Sequence, residues 1–285
     1  MFVDYYALDI TVIEDSLAAI REPKETLRRL ARGARAGLVT TERSAELLGV
    51  RANVASLTLG RLVRRGWLSR VRRGLYLILP LEAGRQGTAI EDPWVLAREL
   101  YAPCYIGGWT AAEHWGLTEQ LFRATFIVTS ANIRRSRETF LGAEFHLTRG
   151  TRERVAQVGQ IWRGRERIAV SDRERTIADA LANPSWVGGV RHLVEILRTY
   201  RESKEWNPNR LIERLGEIGS GASFKRLGYL AETILKPDPR LVNEALARRT
   251  SGVVKLDPAI AERGRINTRW GLSLNVPLKR GAPAA

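Results

Sequence analysis

Thr40 to Pro80 reads TTERSAELLGVRANVASLTLGRLVRRGWLSRVRRGLYLILP. Two short helical patterns come first, then a two-stranded ribbon tipped by Arg72-Arg73-Gly74. Between Leu47 and Leu81 stand seven arginines, at 51, 61, 64, 65, 70, 72 and 73, and no Asp or Glu. Helix, turn, helix and basic hairpin, in that order, outline a winged helix-turn-helix and point to double-stranded DNA as the partner.

The local chemistry agrees with that outline. Thr40 or Thr41 is placed to cap the first helix, and Glu42 falls in its first turn, where a carboxylate suits the positive helix end. Gly49 is the expected left-handed stop. The second helix is expected from about Arg51 to Arg65, and Gly66 ends it. At about 100° per residue, Ala55, Thr58, Leu59 and Leu62 share one face. The other face carries Asn53, Ser56, Leu57, Gly60, Arg61 and Arg64, a mixture suited to base edges and thymine methyls. Leu57 has two readings, a base contact or packing on the preceding helix. Leu68 to Val71 and Leu75 to Leu79 read as strands around a three-residue loop with glycine last. Arg51, Asn53, Ser56 and Arg61 are the candidate base readers. Arg64, Arg65, Arg70, Arg72 and Arg73 are the candidate phosphate contacts, the last pair from the hairpin. An arginine-rich helix by itself is a solvated face; its neighbours in order are what shift the reading to DNA.

The chain has 285 residues, 44% of them hydrophobic, enough for two domains with cores of their own. Its net charge of +15 favours polyanionic partners. Only six of the 46 basic residues are lysines, so composition bias contributes and placement is the stronger evidence. Residues 1–90 hold 15 basic and 9 acidic residues, a balance of +6, which leaves +9 for the remainder. Within that remainder, Arg134 to Arg175 and Arg248 to Arg280 either lie along phosphates or form a solvated basic surface. The single cysteine, Cys104, excludes intrachain disulfides and cysteine-rich zinc sites. The three histidines, 114, 146 and 192, lack ligand spacing, and His114 reads as a packed or capping residue. MFVDYYALDI lacks the basic-then-apolar pattern of a signal peptide. No apolar run reaches the length of a membrane span, so a cytoplasmic location is expected.

Further along, a helix at Lys24–Arg35 directs Leu27, Leu30 and Ala31 inward. Asp92-Pro93 opens a helix over Trp94–Leu100, and Gly107-Gly108 leads into another holding Trp109, Ala111, Ala112 and Trp115. Extended stretches follow at Thr125–Thr129, Ala143–Leu147 and Gly159–Val170, the last with a hairpin at Arg163-Gly164. Helical periodicity then fills 174–182, 190–203, 208–218, 224–235 and 240–249. A final strand-like run, Gly271–Leu278, is expected to return to the sheet. Strands followed by a run of helices imply an α+β fold, with a small sheet and several packed helices in the second domain.

Several segments resemble the AbiEi family, the antitoxins of type IV (abortive infection) toxin–antitoxin pairs. They are YIGGWTAAEHWGLTEQL at 105–121, VSDRERTIADAL at 170–181 with Pro184 and Gly188-Gly189 after it, KRLGYLAE at 225–232, and RGLYLI at the end of the winged helix. Their order and spacing carry the likeness over residues 24–278, and plain core packing accounts for each segment alone. The resemblance implies an autorepressor that binds inverted repeats at its own promoter. It also implies neutralisation of a nucleotidyltransferase-like toxin by the second domain, with direct toxin contact left open. Two half-sites would couple two copies on DNA. The expected organisation is an extension at 1–22, a winged helix-turn-helix at 23–80, a linker at 81–89, an AbiEi-like domain at 90–280 and a tail at 281–285.

Chemistry is not expected, nor is a cofactor or metal. Glu202-Ser203-Lys204 and Glu22-Pro23-Lys24 have the Glu-x-Lys pattern of metal-dependent nucleases, but lack the paired carboxylate on a preceding strand. No phosphate-binding loop or nucleophile elbow is present. The rival readings are a promoter regulator unconnected with a toxin and a DNA-targeted nuclease.

Overall fold

The computed structural model describes residues 22–35, 37–79, 92–140, 142–164, 166–235 and 238–278. The extension up to residue 21, the linker at 81–89 and the tail at 281–285 lie outside these residues. Among the described residues, eleven α-helices and several small sheets form a mixed architecture of the α+β kind. Contacts divide the chain into two units: one runs to Leu100 and includes Thr139–Ala143, and the other comprises Tyr101–Glu138 and Glu144 onward.

The first unit contains α1 (Pro23–Gly33), β1 (Leu38–Thr40), α2 (Thr41–Leu48), α3 (Ala52–Arg64), β2 (Leu68–Arg72), β3 (Leu75–Ile78) and most of α4 (Pro93–Tyr101). Its strands form an antiparallel sheet in the order β1-β3-β2. Thr40 Oγ1 accepts from Arg43 N–H at 3.1 Å and caps α2, which Gly49 ends in the left-handed region at φ 66°. Leu27, Leu30, Leu48, Leu59, Leu62 and Tyr76 meet in one core. Ala31, expected inward, is exposed at the edge of the α1 stripe, and Thr26 takes the buried place. The hairpin also differs from expectation. Arg72 pairs directly with Leu75, so the turn is only Arg73-Gly74, and a bulge at Val71 absorbs the extra residue. The bulge keeps Val71 buried while Arg70 and Arg72 stay exposed. Asp92 Oδ1 accepts from Trp94 N–H at the start of α4, as its sequence suggests. That helix nevertheless groups with the first unit rather than the second.

The second unit holds β4 (Cys104–Ile106), α5 (Gly108–His114), β5 (Ala124–Thr129), the first half of β6 (Arg137–Phe140) and all but the first residue of β7 (Ala143–Arg149), with strand order β4-β5-β7-β6. β5 is buried along nearly its whole length and pairs parallel with β7, the pattern of a covered central strand. Gly108 follows β4 at φ 52°, where a Cβ would run into the Trp186 carbonyl and the Phe126 ring. After α6 (Arg152–Ala156) and the hairpin β8 (Gln160–Arg163) and β9 (Glu166–Ala169) come α7 (Arg173–Ala182), a 3₁₀ turn (Pro184–Val187), α8 (Val190–Glu202), α9 (Pro208–Ile218), α10 (Gly221–Thr233) and α11 (Pro239–Arg248). α7 is buried over Glu174–Leu181, all round, so it is the central helix of this array. β10 (Val254–Lys255), β11 (Arg265–Asn267) and β12 (Leu272–Leu274) form a separate sheet in the order β10-β12-β11. The Gly271–Leu278 run therefore does not return to the main sheet. Trp270 and Leu272, both 0% exposed, anchor it in the helical core instead. Among the described residues, no helix is long and apolar enough to cross a membrane.

Candidate nucleic-acid interface

α3 splits into two faces at the expected positions. Ala55, Thr58, Leu59 and Leu62 are buried, and Thr58 Oγ1 donates to Val54 O at 2.9 Å. Arg51, Asn53, Ser56, Leu57, Arg61 and Arg64 are exposed. Leu57 is 65% exposed, so it does not pack on α2. Asn53 Oδ1 accepts from Val54 N–H at 2.9 Å, which leaves its amide NH₂ and one lone pair outward.

The β2–β3 hairpin stands beside this helix. Thr41 N–H donates to Gly74 O at 2.9 Å and fixes the tip of the hairpin against the start of α2. Arg65, Arg70 and Arg73 are exposed, like the arginines of α3. None of Arg51, Arg61, Arg64, Arg65, Arg70 and Arg73 makes an ion pair or a side-chain hydrogen bond with another described residue. Of the acidic residues of α1, α2 and α4, Glu25 is engaged by Arg28 and Arg29, Glu46 by Arg43 and Glu99 by Arg98, while Glu42 is exposed in the first turn of α2 and pairs with none of these arginines.

Arg72 differs from this set in having described partners. Its Nη1 donates to Leu100 O at 2.6 Å and its Nη2 to Glu99 O at 2.8 Å. It therefore caps the C-terminal carbonyls of α4, where a cation also meets the negative helix end. Arg72 remains an exposed residue while it makes these two bonds.

The basic segments of the second unit are used differently. Asp179, fully buried, accepts from Tyr105 Oη at 2.7 Å, Arg154 Nη2 at 2.6 Å and Arg175 Nε at 3.1 Å. Arg175 continues to Glu217 at 3.2 Å. Asp172 caps α7 through Arg175 N–H at 2.7 Å and accepts from Arg210 at 3.0 Å and Arg214 at 2.7 Å. Burial opposes the charge on Asp172, but those N–H donors outweigh it and hold its carboxyl below the usual carboxylate range. Burial and the adjacent Asp179 charge push the Tyr105 hydroxyl well above its ordinary range, so it stays a neutral donor. Tyr200 donates to Glu174, and burial with that bond raises its pKa too. Sequence reasoning missed this network, because its members lie as many as 74 residues apart. Arg134, Arg135 and Arg152 of the same segment are exposed.

Both Glu-x-Lys triplets lie at helix ends, with Glu202 and Lys204 exposed at the end of α8 and Glu22 and Lys24 exposed at the start of α1. Among the described residues, no group of three or more His, Cys, Asp or Glu is placed to hold a metal ion. His114 is exposed at the end of α5 with its ring edge-on to Trp115, and burial together with Arg163 and Arg173 lowers its pKa. His192 sits between Thr118 and the Val187 carbonyl.

No family model matches the chain, and no curated protein matches it. Among solved structures, the chain is similar to the crystal structure of the RV2827C protein from Mycobacterium tuberculosis, with a TM-score of 0.58 at 20% identity, over 86% of this chain and 88% of that one. At that identity the likeness concerns the fold alone.

Proposed function

We propose that the first unit is a winged helix-turn-helix that binds double-stranded DNA, and that the chain is the antitoxin and autorepressor of a type IV toxin–antitoxin pair. One observation carries the DNA reading: six exposed arginines of α3 and the hairpin have no carboxylate partner among the described residues. α3 enters the major groove, with Arg51, Asn53, Ser56 and Arg61 at base edges. Arg64, Arg65, Arg70 and Arg73 neutralise phosphates, and Arg72 holds α4. Repression is occlusion of the promoter, with two copies seated on an inverted repeat. The antitoxin part rests on the AbiEi resemblance: the second unit neutralises a nucleotidyltransferase-like toxin, and no catalysis by this chain is needed.

Titrating the DNA upstream of the gene between about 50 and 200 mM salt tests the first part. Changing Arg70 and Arg73 together to Ala should weaken binding to every sequence and flatten the salt slope by about one unit per lost phosphate contact. An unchanged slope rejects the hairpin assignment. Co-expressing the adjacent gene with and without this chain tests the second part. Growth arrest that this chain fails to relieve rejects the antitoxin.

A further inference from the structure

The exit of α11 and the β11–β12 turn border an open polar pocket of about 370 Å³ in the second unit. That is at the small end of small-molecule sites, about 300–1,000 Å³. Arg249, Thr250, Ser251 and Thr268 are among the residues that line it, and no carboxylate is. Behind its wall lies Lys225 of α10, 1% exposed. Lys225 Nζ donates to Ser251 O at 3.1 Å and Gly252 O at 2.6 Å, both backbone atoms of the cavity wall. An ammonium has three N–H groups; the third finds no acceptor among the described residues, and no described carboxylate pairs with it. Gly271, also in the wall, passes close to this ammonium: a Cβ there would lie 3.3 Å from Nζ. Glu232, two turns along the same helix, is already held by Trp270 Nε1–H at 2.6 Å and Arg269 Nε at 2.9 Å.

Burial lowers the Lys225 pKa, and the Arg249 guanidinium lowers it further. Arg249 thus lines this polar space and the Lys225 ammonium lies directly behind its wall, with no carboxylate among the lining residues. A buried cation without a counter-charge is costly. A phosphate group supplies about two negative charges and three acceptor oxygens, which match this set of donors.

We infer that this cavity binds a phosphate group, either inorganic phosphate or the phosphate of a mononucleotide. The inference stands apart from the DNA reading. Lys225 supplies charge from behind the wall, Arg249 closes over the anion from the solvent side, and the hydroxyls of Thr250, Ser251 and Thr268 complete its hydrogen bonds.

Thermal melting of the full chain tests this. Inorganic phosphate should raise the midpoint saturably above potassium chloride of equal ionic strength, as a ligand of the native state must. Arg249→Ala should weaken the apparent phosphate affinity about tenfold or more, while Arg263→Ala, an exposed arginine outside the cavity, leaves it unchanged. Lys225→Met should do the same as Arg249→Ala; if that variant fails to fold, Arg249→Ala decides alone. Adenosine 5′-monophosphate binding more tightly than phosphate assigns the site to a nucleotide, and equal or weaker binding assigns it to the free ion. Stabilisation no greater than with chloride overturns the inference. So does a phosphate effect that survives Arg249→Ala but disappears when Arg70 and Arg73 are both changed to Ala.

Discussion

Arg175 and Arg61 are the same residue type in opposite circumstances. Arg175 is 2% exposed and lies between Asp179 and Glu217. Arg226, equally buried, donates to the carbonyls of Leu181, Ala182, Lys255 and Leu256, and burial lowers its pKa to about 10. Arg61 and its neighbours on α3 and the hairpin are exposed and meet no described carboxylate. A guanidinium surrounded by carboxylates and carbonyls is consumed in folding. One left in solvent without a partner remains available to a polyanion. A net charge of +15 conceals this difference, because it counts both kinds alike.

The sharpest way to break the comparison is thermodynamic. Asp179→Ala leaves Arg154 and Arg175 facing each other without their carboxylate and should destabilise the chain by about 3–5 kcal/mol. Arg61→Ala or Arg64→Ala should stay within about 0.5 kcal/mol of the parent. Urea denaturation measures both. A large loss at Arg61 would show that the α3 face has a structural use, which would remove the argument for its docking on DNA.

Much of this contrast was legible in the sequence, and the reason is locality. The buried set of α3, Ala55, Thr58, Leu59 and Leu62, follows from helical periodicity within one element. So do the Thr40 cap, the Gly49 stop and the five later helices. β1 went unread because Leu38–Thr40 is three residues long, too short to show a strand period. The Arg72 contacts went unread because its partners lie 27 and 28 residues away, on a helix whose placement no local pattern reveals. Asp179 looks like an ordinary polar residue on α7; only the assembled fold places Tyr105 and Arg154 around it. The α3 face could be read because its residues make no distant contacts, and the Asp179 cluster could not because it consists of them.

The next effect in size concerns discrimination. If α3 reads bases, Asn53→Ala should reduce the preference for the cognate operator by about 1–3 kcal/mol at one base pair. Affinity for random DNA should hardly change, since the phosphate contacts remain. Equal loss on both DNAs in a competition titration would reduce Asn53 to a positioning role.

On the other side of the comparison, Asp172 gives a pH signature. Its carboxyl is held below the usual carboxylate range, so its contribution is complete above about pH 4 and disappears as pH falls through its folded-state value. Asp172→Asn keeps an α7 cap but loses the attraction to Arg210 and Arg214. It should cost roughly 1 kcal/mol at neutral pH, discounted because the site is partly exposed. The stability difference between parent and variant should shrink as the pH is lowered below about 4. A constant difference from pH 7 to pH 3 would mean that the charge on Asp172 contributes nothing.

The smallest expected effect is the most discriminating, because folding and docking move in opposite directions. Gly60 lies inside α3 between Leu57 and Arg61, on the outward face. A Cβ there would meet only Arg64 Nη1, at 4.0 Å, so alanine fits without displacing anything. Gly60→Ala should therefore stabilise the first unit by about 0.5–1 kcal/mol through helix propensity. In a helix seated in the major groove, the same methyl stands where the backbone approaches the base edges, so operator affinity should fall. A more stable variant that binds the operator less tightly is the expected pair of results, from thermal melts and DNA titration of one preparation. If Gly60→Ala is more stable and binds DNA as well as the parent, the helix does not approach the duplex at this position. The exposed arginines would then have to reach phosphates from a more distant pose.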